Sequence, residues 1–189
     1  MANIDIKEYT QEPVTAKSRL SWLWAEYSVI IAFIIIFIGS SLMNPRFLDI
    51  NNQLNILMQV SIIGIIALGM TVVMLSGGID LSVGSVLALA GVISVLALNA
   101  SGSILVGVFT ALLVGSFAGF LNGLMVAKGR IASFIATLGM MAGARSIALY
   151  IAEGGSVSGE VDGFTAIANS DLWIFDYPVI IFLLMAVLV

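Results

Sequence analysis

Polar chemistry in this chain is concentrated at one short interruption of an apolar sequence. The run Ser-Gly-Gly-Ile-Asp-Leu-Ser places the carboxylate of Asp80 between paired glycines, Gly77 and Gly78, and the hydroxyls of Ser76 and Ser82. Such groups can exchange hydrogen bonds with a polar solute. An ionisable residue close to hydrocarbon is by default a functional-site hypothesis. The run is therefore a candidate for part of a transport path.

Two local structures would place Asp80 differently. In a broken helix near residues 76–84, its carboxylate is satisfied by backbone N–H groups, and with Ser82 it caps the next helix. In a short inner loop, it is solvated by water among the lipid headgroups. The paired glycines and the absence of a basic neighbour favour the broken helix. Discontinuous helices of this kind often frame substrate sites in transporters.

Three other polar residues interrupt later apolar stretches. Asn122 can bridge two helices or face a permeant polyol, and bridging is the commoner use. Thr137 is expected to bond to its own helix backbone. Arg145 lies within about two turns of the end of its stretch, so its side chain can reach the membrane surface.

Composition makes this chain an integral membrane protein. Of its 189 residues, 60% are apolar and 10% are charged, against about 25% charged in soluble domains. Cysteine and histidine are absent, which excludes disulfides and thiolate metal sites and removes the commonest general base. There is no phosphate-binding G-x-x-x-x-G-K-[ST] motif and no basic stripe for nucleic acid. We therefore expect neither an enzyme nor a bound cofactor or metal.

Apolar stretches of about 20 residues can cross a bilayer. Five such stretches and a shorter sixth are present, at residues 22–43, 54–75, 81–98, 104–127, 131–151 and 177–189. They predict an all-α, polytopic membrane helix bundle with about five to six transmembrane helices. The sixth is short and has no charged flank, which predicts a chain cut inside that helix. A natural short end at the membrane surface is the alternative. The predicted organisation is a cytoplasmic tail, residues 1–21, and a transmembrane domain, residues 22–189.

Small residues recur every four positions in the fourth stretch and continue in the fifth. Side chains at this spacing let two helix backbones approach closely. Static packing is the favoured interpretation, and a helix that slides on a neighbour is the alternative. The predicted packing glycines are Gly107, Gly115, Gly119, Gly123, Gly139 and Gly143.

Charge predicts the orientation, since Lys and Arg concentrate on the cytoplasmic side. With the N-terminus inside, the cytoplasmic cations are Lys7, Lys17, Arg19, Lys128 and Arg130. Only Arg46 then lies outside. The loop from Glu153 to Asp176 has five acids and no Lys or Arg, and it also falls outside.

Four blocks give the chain a family resemblance. These are SGGIDLSVG at 76–84, NGLMV at 122–126, RIASFIATLG at 130–139, and NPRF at 44–47 followed by Asn52. In this order they resemble the ribose-type sugar ABC transporter permeases, the inner-membrane component of binding-protein-dependent transport systems. Members are much longer than this chain, so the resemblance identifies an N-terminal part.

The resemblance implies a multi-pass subunit of the bacterial plasma (inner) membrane, in an ATP-driven importer of a ribose-like monosaccharide. The implied partners are the lipid bilayer, a second permease copy (homodimer or heterodimer), cytoplasmic ATPase subunits and an extracytoplasmic sugar-binding protein. A secondary carrier or passive channel remains the alternative, although it needs a coupling-ion site or charged ring. A membrane anchor would gain nothing from a broken helix.

Overall fold

A computed structural model describes residues 16–164, 171–172 and 175–189. Of the predicted tail, residues 1–21, the part up to residue 15 lies outside these ranges. Residues 16–21 belong to the first helix. Six helices and one short strand pair make up the described residues. Their bounds are α1 Ala16–Met43, α2 Ile50–Leu75, α3 Val83–Ser101, α4 Ile104–Ala127, α5 Ser133–Ile151, β1 Asp171–Leu172, β2 Phe175–Asp176 and α6 Tyr177–Leu188.

The predicted membrane helices are confirmed. Five helices, from α1 to α5, are long and apolar enough to cross a bilayer, and in α1 the qualifying part is Glu26–Met43. The sixth, α6, is apolar but has only 12 residues. Strand pairing in the described residues is limited to β1 and β2, which are antiparallel and two residues long.

Helix ends differ from the predicted bounds where polar residues continue a helix. The helix α3 was predicted to end at Leu98, but it runs on to Ser101. Gly102 then closes it in a left-handed conformation, φ 67°, and donates its N–H to Leu98 O, as is common at helix C-termini. The helix α2 was predicted to begin at Leu54, but it begins at Ile50. The carboxylate of Asp49, just before it, accepts the Asn51 N–H at 2.9 Å and stabilises this earlier start.

The chain divides into two compact units, residues 1–53 and 54–189. In the first unit, the Phe37 ring packs edge-on against Phe47, with 5.3 Å between centroids. The side-chain amides of Asn52 and Gln53 both donate to Phe47 O, at 2.8 and 2.5 Å. These contacts fold the connection after α1 back on itself.

In the second unit, α3 packs against both α4 and α5. Leu89 of α3 forms a buried cluster with Ala144 and Ala148 of α5. Partly buried apolar residues surround this cluster, namely Val86, Ile93, Val114 and Ile151. The two alanines let the helices approach closely, as small residues do in membrane bundles.

The helix interruption predicted near residues 76–84 is confirmed at residues 76–82, which are not helical. Gly77 adopts φ +80°, a left-handed conformation that glycine tolerates without steric cost. Gly78 donates its N–H back to Val73 O at 3.1 Å, which closes the end of α2. The helices on either side have 26 and 19 residues, so each is long enough to cross a bilayer by itself.

Candidate functional site

The interruption, residues 76–82, is held by side chains from α4 and α5. From α5, Ser133 Oγ accepts the Ile79 N–H at 3.2 Å. Thr137 Oγ1 lies 3.3 Å from Ile79 O and 2.8 Å from Ser133 O. A hydroxyl has a single proton, so the shorter bond to Ser133 O is the stronger one. The expected bond of Thr137 to its own helix is thereby confirmed, and the same hydroxyl also contacts the interruption.

Asp80 folds its carboxylate onto the residue that precedes α3. Its Oδ1 accepts hydrogen bonds from Ser82 N at 2.7 Å and from Ser82 Oγ at 2.6 Å. Ser82 is the N-cap residue of α3, but its hydroxyl makes no capping bond. The reason is that its proton is already donated to Asp80. Asp80 therefore orders the turn into α3, and Ser82 does not cap the helix with its side chain.

Asn122 of α4 extends this network. Its Nδ2 donates to Ser82 Oγ at 3.0 Å. Because the Ser82 proton goes to Asp80, the Ser82 oxygen can only accept here, and this fixes which end of the amide faces it. Hydrogen bonds thus run from Asn122 through Ser82 to Asp80, and Asn122 bridges α4 to the interruption.

The opposite end of the same amide has no partner. Asn122 is 7% exposed, and its Oδ1 is the one buried side-chain nitrogen or oxygen without a hydrogen bond among the described residues. A buried acceptor left unpaired costs about 1–3 kcal/mol. Natural proteins rarely keep such a group without a reason.

A cavity of about 400 Å³ lies against these residues. Asp80, Ser82 and Asn122 supply its polar surface, and no Lys or Arg lines it. The remaining walls are apolar or small residues of α2, α3 and α4, namely Ile66, Gly69, Met70, Val73, Val83, Val86, Leu87, Ala90, Ala111, Leu112, Gly115 and Gly119. Of the three, Asp80 is half-buried and can offer an acceptor to a solute, whereas Ser82 and Asn122 are buried against the cavity. No cation lines it.

The other residues of the predicted site serve the backbone. Ser76 Oγ donates to Val73 O at 2.6 Å, at the end of α2. A Cβ atom on Gly78 would lie 3.4 Å from Val73 Cγ1 and 3.7 Å from Ser133 Cβ. Ser76, Gly77 and Gly78 do not line the cavity, so they shape the interruption from behind it.

The predicted packing glycines differ in their surroundings. Gly107 is buried, and a Cβ atom there would lie 3.1 Å from Leu98 Cβ, so it brings α4 onto α3. A Cβ atom on any of the other five would meet nothing within 4 Å. Gly115 and Gly119 line the polar cavity, whereas Gly139 and Gly143 line a separate apolar cavity of about 550 Å³ between α4 and α5. For these residues and Gly123, helix packing stays a prediction.

Ser133 was missed as a site residue in the sequence. Its hydroxyl is 54 positions away from Ile79 along the chain, and nothing in a local pattern links the two. The available signal was its place within RIASFIATLG, one of the blocks that carried the family resemblance.

Comparison with known proteins gives several relatives. The Ribose import permease protein RbsC of Escherichia coli (strain K12) is 43% identical over 153 residues, covering 81% of this chain and 46% of the relative. RbsC of Bacillus subtilis (strain 168) is 42% identical over 133 residues, or 67% of this chain and 39% of the relative. The L-arabinose transport system permease protein AraH of E. coli (strain K12) is 34% identical over 175 residues, or 92% and 53%.

This chain thus spans about half the length of the curated relatives it matches. No solved structure matches it. A family model does match, over residues 52–189, which include the interruption, Asn122 and the residues of α5 that hold Ile79. The chain belongs to the family described as the branched-chain amino acid transport system / permease component.

Proposed function

We propose that this protein is the transmembrane permease subunit of an ATP-driven, binding-protein-dependent importer of a ribose-like monosaccharide. The family and the names of the relatives, ribose and L-arabinose permeases, support a transport subunit. In this proposal the protein crosses the bacterial plasma (inner) membrane several times, with its N-terminus in the cytoplasm.

The cavity beside the interruption is the observation that carries the choice of solute. The family description names branched-chain amino acids, whose zwitterionic form presents a carboxylate that needs a cationic or N–H-rich partner. Asp80 could accept the ammonium group of such a zwitterion, but no Lys or Arg lines the cavity to pair with its carboxylate. A neutral polyol presents hydroxyl donors, which match acceptors such as Asp80 and Asn122.

Each site residue has a distinct role in the proposal. Asp80 and Ser82 set the shape of the turn, and Asn122 offers its unpaired Oδ1 to a solute hydroxyl when the cavity wall opens. Gly115 and Gly119, on the same helix as Asn122, leave room along the cavity, because a side chain there would point into open space. The solute passes without covalent chemistry.

Three kinds of partner complete the proposed importer. A second permease copy completes the path, and an extracytoplasmic sugar-binding protein delivers the solute. Cytoplasmic ATPase subunits provide the free energy of transport.

Uptake measurements test the proposal. Cells that lack their own ribose permeases would express the complete permease together with its ATPase and binding-protein partners. We expect ATP-dependent uptake of labelled ribose and no uptake of labelled leucine. Uptake of leucine but not ribose would contradict the proposed solute. Ribose uptake without the ATPase subunits would instead favour a secondary carrier or passive channel.

Paired variants connect the uptake to the cavity. Asn122→Leu should lower ribose uptake at least tenfold, because it removes the bond to Ser82 and the acceptor for the solute, a loss of about 1.4 kcal/mol or more. Asn55→Leu is the matched control, since Asn55 is exposed and does not line the cavity. Equal uptake by the two variants at equal protein abundance would remove Asn122 from the path.

A further inference from the structure

A second cavity, which the transport proposal does not use, lies between α3 and α5. It has a volume of about 540 Å³ and is lined by Arg145 and Ser85 among apolar and small residues. Its walls run from Leu81, at the interruption, to Gly155, after the end of α5. This groove is therefore long, mostly apolar, and marked by a single cation.

The cation of this groove has no partner within the described residues. Arg145 is exposed, and its guanidinium makes no hydrogen bond or ion pair there. It nevertheless belongs to α5, one of the helices that can cross the membrane. Charged side chains within such helices are costly and are normally paired. An anion is the group that would satisfy Arg145.

The depth of Arg145 limits where that anion comes from. Arg145 lies six residues before Ile151, the last residue of α5, which corresponds to about 9 Å along the helix axis. A long arginine side chain spans much of such a distance and can bring its charge close to the headgroups. Tyr150, exposed near the same end, is a residue type typical of that boundary. The phosphate of a lipid, which lies at that level, is thus within reach.

The groove walls suit the rest of a lipid molecule. Gly84, Ala88 and Val92 of α3 face Ala148 and Arg145 of α5 across it. A Cβ atom on Gly84 would meet nothing within 4 Å, so the space is open. An acyl chain can lie along these small side chains while its phosphate accepts the guanidinium N–H groups in a forked, charge-assisted pair.

We propose that the groove between α3 and α5 is a phospholipid site, in which Arg145 binds the headgroup phosphate and the small residues of α3 receive an acyl chain. The required ligand combines a phosphate with a hydrocarbon chain. Neither part alone satisfies both ends of the groove.

Three probes separate these parts on the purified, detergent-solubilised protein. Native mass spectrometry would measure binding of dioleoylphosphatidylglycerol, with dioleoylglycerol and inorganic phosphate as competitors. The first has both parts, the second has the same chains without phosphate, and the third has no chain. We expect phosphatidylglycerol to bind and neither competitor to displace it at equal concentration. Displacement by dioleoylglycerol, or by inorganic phosphate, would overturn the two-part site.

Variants test the two ends of the groove separately. Arg145→Gln should weaken phosphatidylglycerol binding about tenfold to a hundredfold, as expected for losing a charge-assisted pair, and Arg145→Lys should weaken it less. Arg130→Gln, which removes an exposed cation that does not line the groove, should bind as the unaltered protein does. Unchanged binding by Arg145→Gln would refute the role of the cation.

Gly84→Leu tests the acyl-chain wall while the cation stays in place. It should weaken binding, whereas Gly91→Leu on the same helix should not, because Gly91 is equally open but does not line the groove. This pair keeps the test valid if Arg145→Gln fails to fold. If Arg145→Gln abolishes a dimer and leaves lipid binding unchanged, the anion belongs to a second copy of the chain and the lipid site is wrong.

Discussion

One carboxylate oxygen of Asp80 accepts both hydrogen bonds that Ser82 can donate, from its backbone N–H and from its hydroxyl. Asn122 then donates to the same hydroxyl from α4. The sequence predicted that Asp80 would be satisfied by nearby N–H groups, and the bond from Ser82 N fits that expectation. The sequence could not predict that the Ser82 hydroxyl would link Asp80 to Asn122, because Asn122 lies 40 positions further along the chain.

Substitution of Asp80 tests this network at the scale of single residues. An asparagine can still accept from Ser82, so Asp80→Asn should keep partial uptake. A leucine leaves the Ser82 donors unpaired at about 1–3 kcal/mol each, so Asp80→Leu should lose uptake and lower the thermal stability of the solubilised protein.

Asp49→Leu is the matched control for Asp80→Leu. Asp49 makes a similar bond, to Asn51 N, but in an exposed turn, where water replaces the lost acceptor. Its loss should therefore cost about 1 kcal/mol or less. Equal loss of stability in the two leucine variants would show that Asp80 has no special structural role.

At the scale of helices, the spacing of apolar and small residues predicted where the helices lie but not which residues contact a neighbouring helix. The bounds of α4 agree with the apolar stretch predicted at residues 104–127, because a serine precedes it and a lysine follows it. The glycine row along α4 was expected to form one packing face. Helical spacing places residues on a common face, but it does not tell whether a neighbouring helix, a cavity or lipid covers that face.

Gly107 is the glycine whose replacement should disturb packing between helices. Gly107→Leu would force a side chain against Leu98, 3.1 Å from the new Cβ, and against Ser94 O at 3.4 Å. Overpacking of this kind costs about 1–3 kcal/mol, so the melting temperature of the solubilised protein should fall.

Gly123→Leu serves as its control on the same helix. The substitution gives a similar gain in helix propensity, and the new Cβ would meet no atom within 4 Å. It should therefore leave the melting temperature unchanged or raise it slightly. A similar fall in both variants would mean that the contact with Leu98 is not what limits the substitution.

At the scale of the whole molecule, α5 separates two ends of the second unit. Lys128 follows α4 at the end where α5 begins. Glu160 lies beyond the other end, where its N–H donates to Asn99 Oδ1 near the C-terminus of α3 at 2.8 Å. If α5 crosses the membrane, these two residues lie on opposite sides.

Labelling of single cysteines tests the orientation, because the chain has no cysteine of its own. With the N-terminus in the cytoplasm, Glu160→Cys should react with an impermeant thiol reagent added to intact cells. Lys128→Cys should react only after the membrane is opened. The reverse pattern would invert the proposed orientation, and reaction of both in intact cells would show that α5 does not cross.

The hydrogen bonds that tie the interruption to α4 and α5 have a mechanical consequence. Asn122, near the end of α4, holds Ser82, while Ser133, at the start of α5, holds Ile79. Only the short turn at residues 128–132 joins these two helices, so the two hydrogen bonds tie the two ends of one backbone segment to two consecutive helices. A change in the angle between α4 and α5 must therefore either break one of these hydrogen bonds or change the backbone conformation from Ile79 to Ser82. Asp80, which lies between Ile79 and Ser82, would then move with any force applied to the turn at residues 128–132.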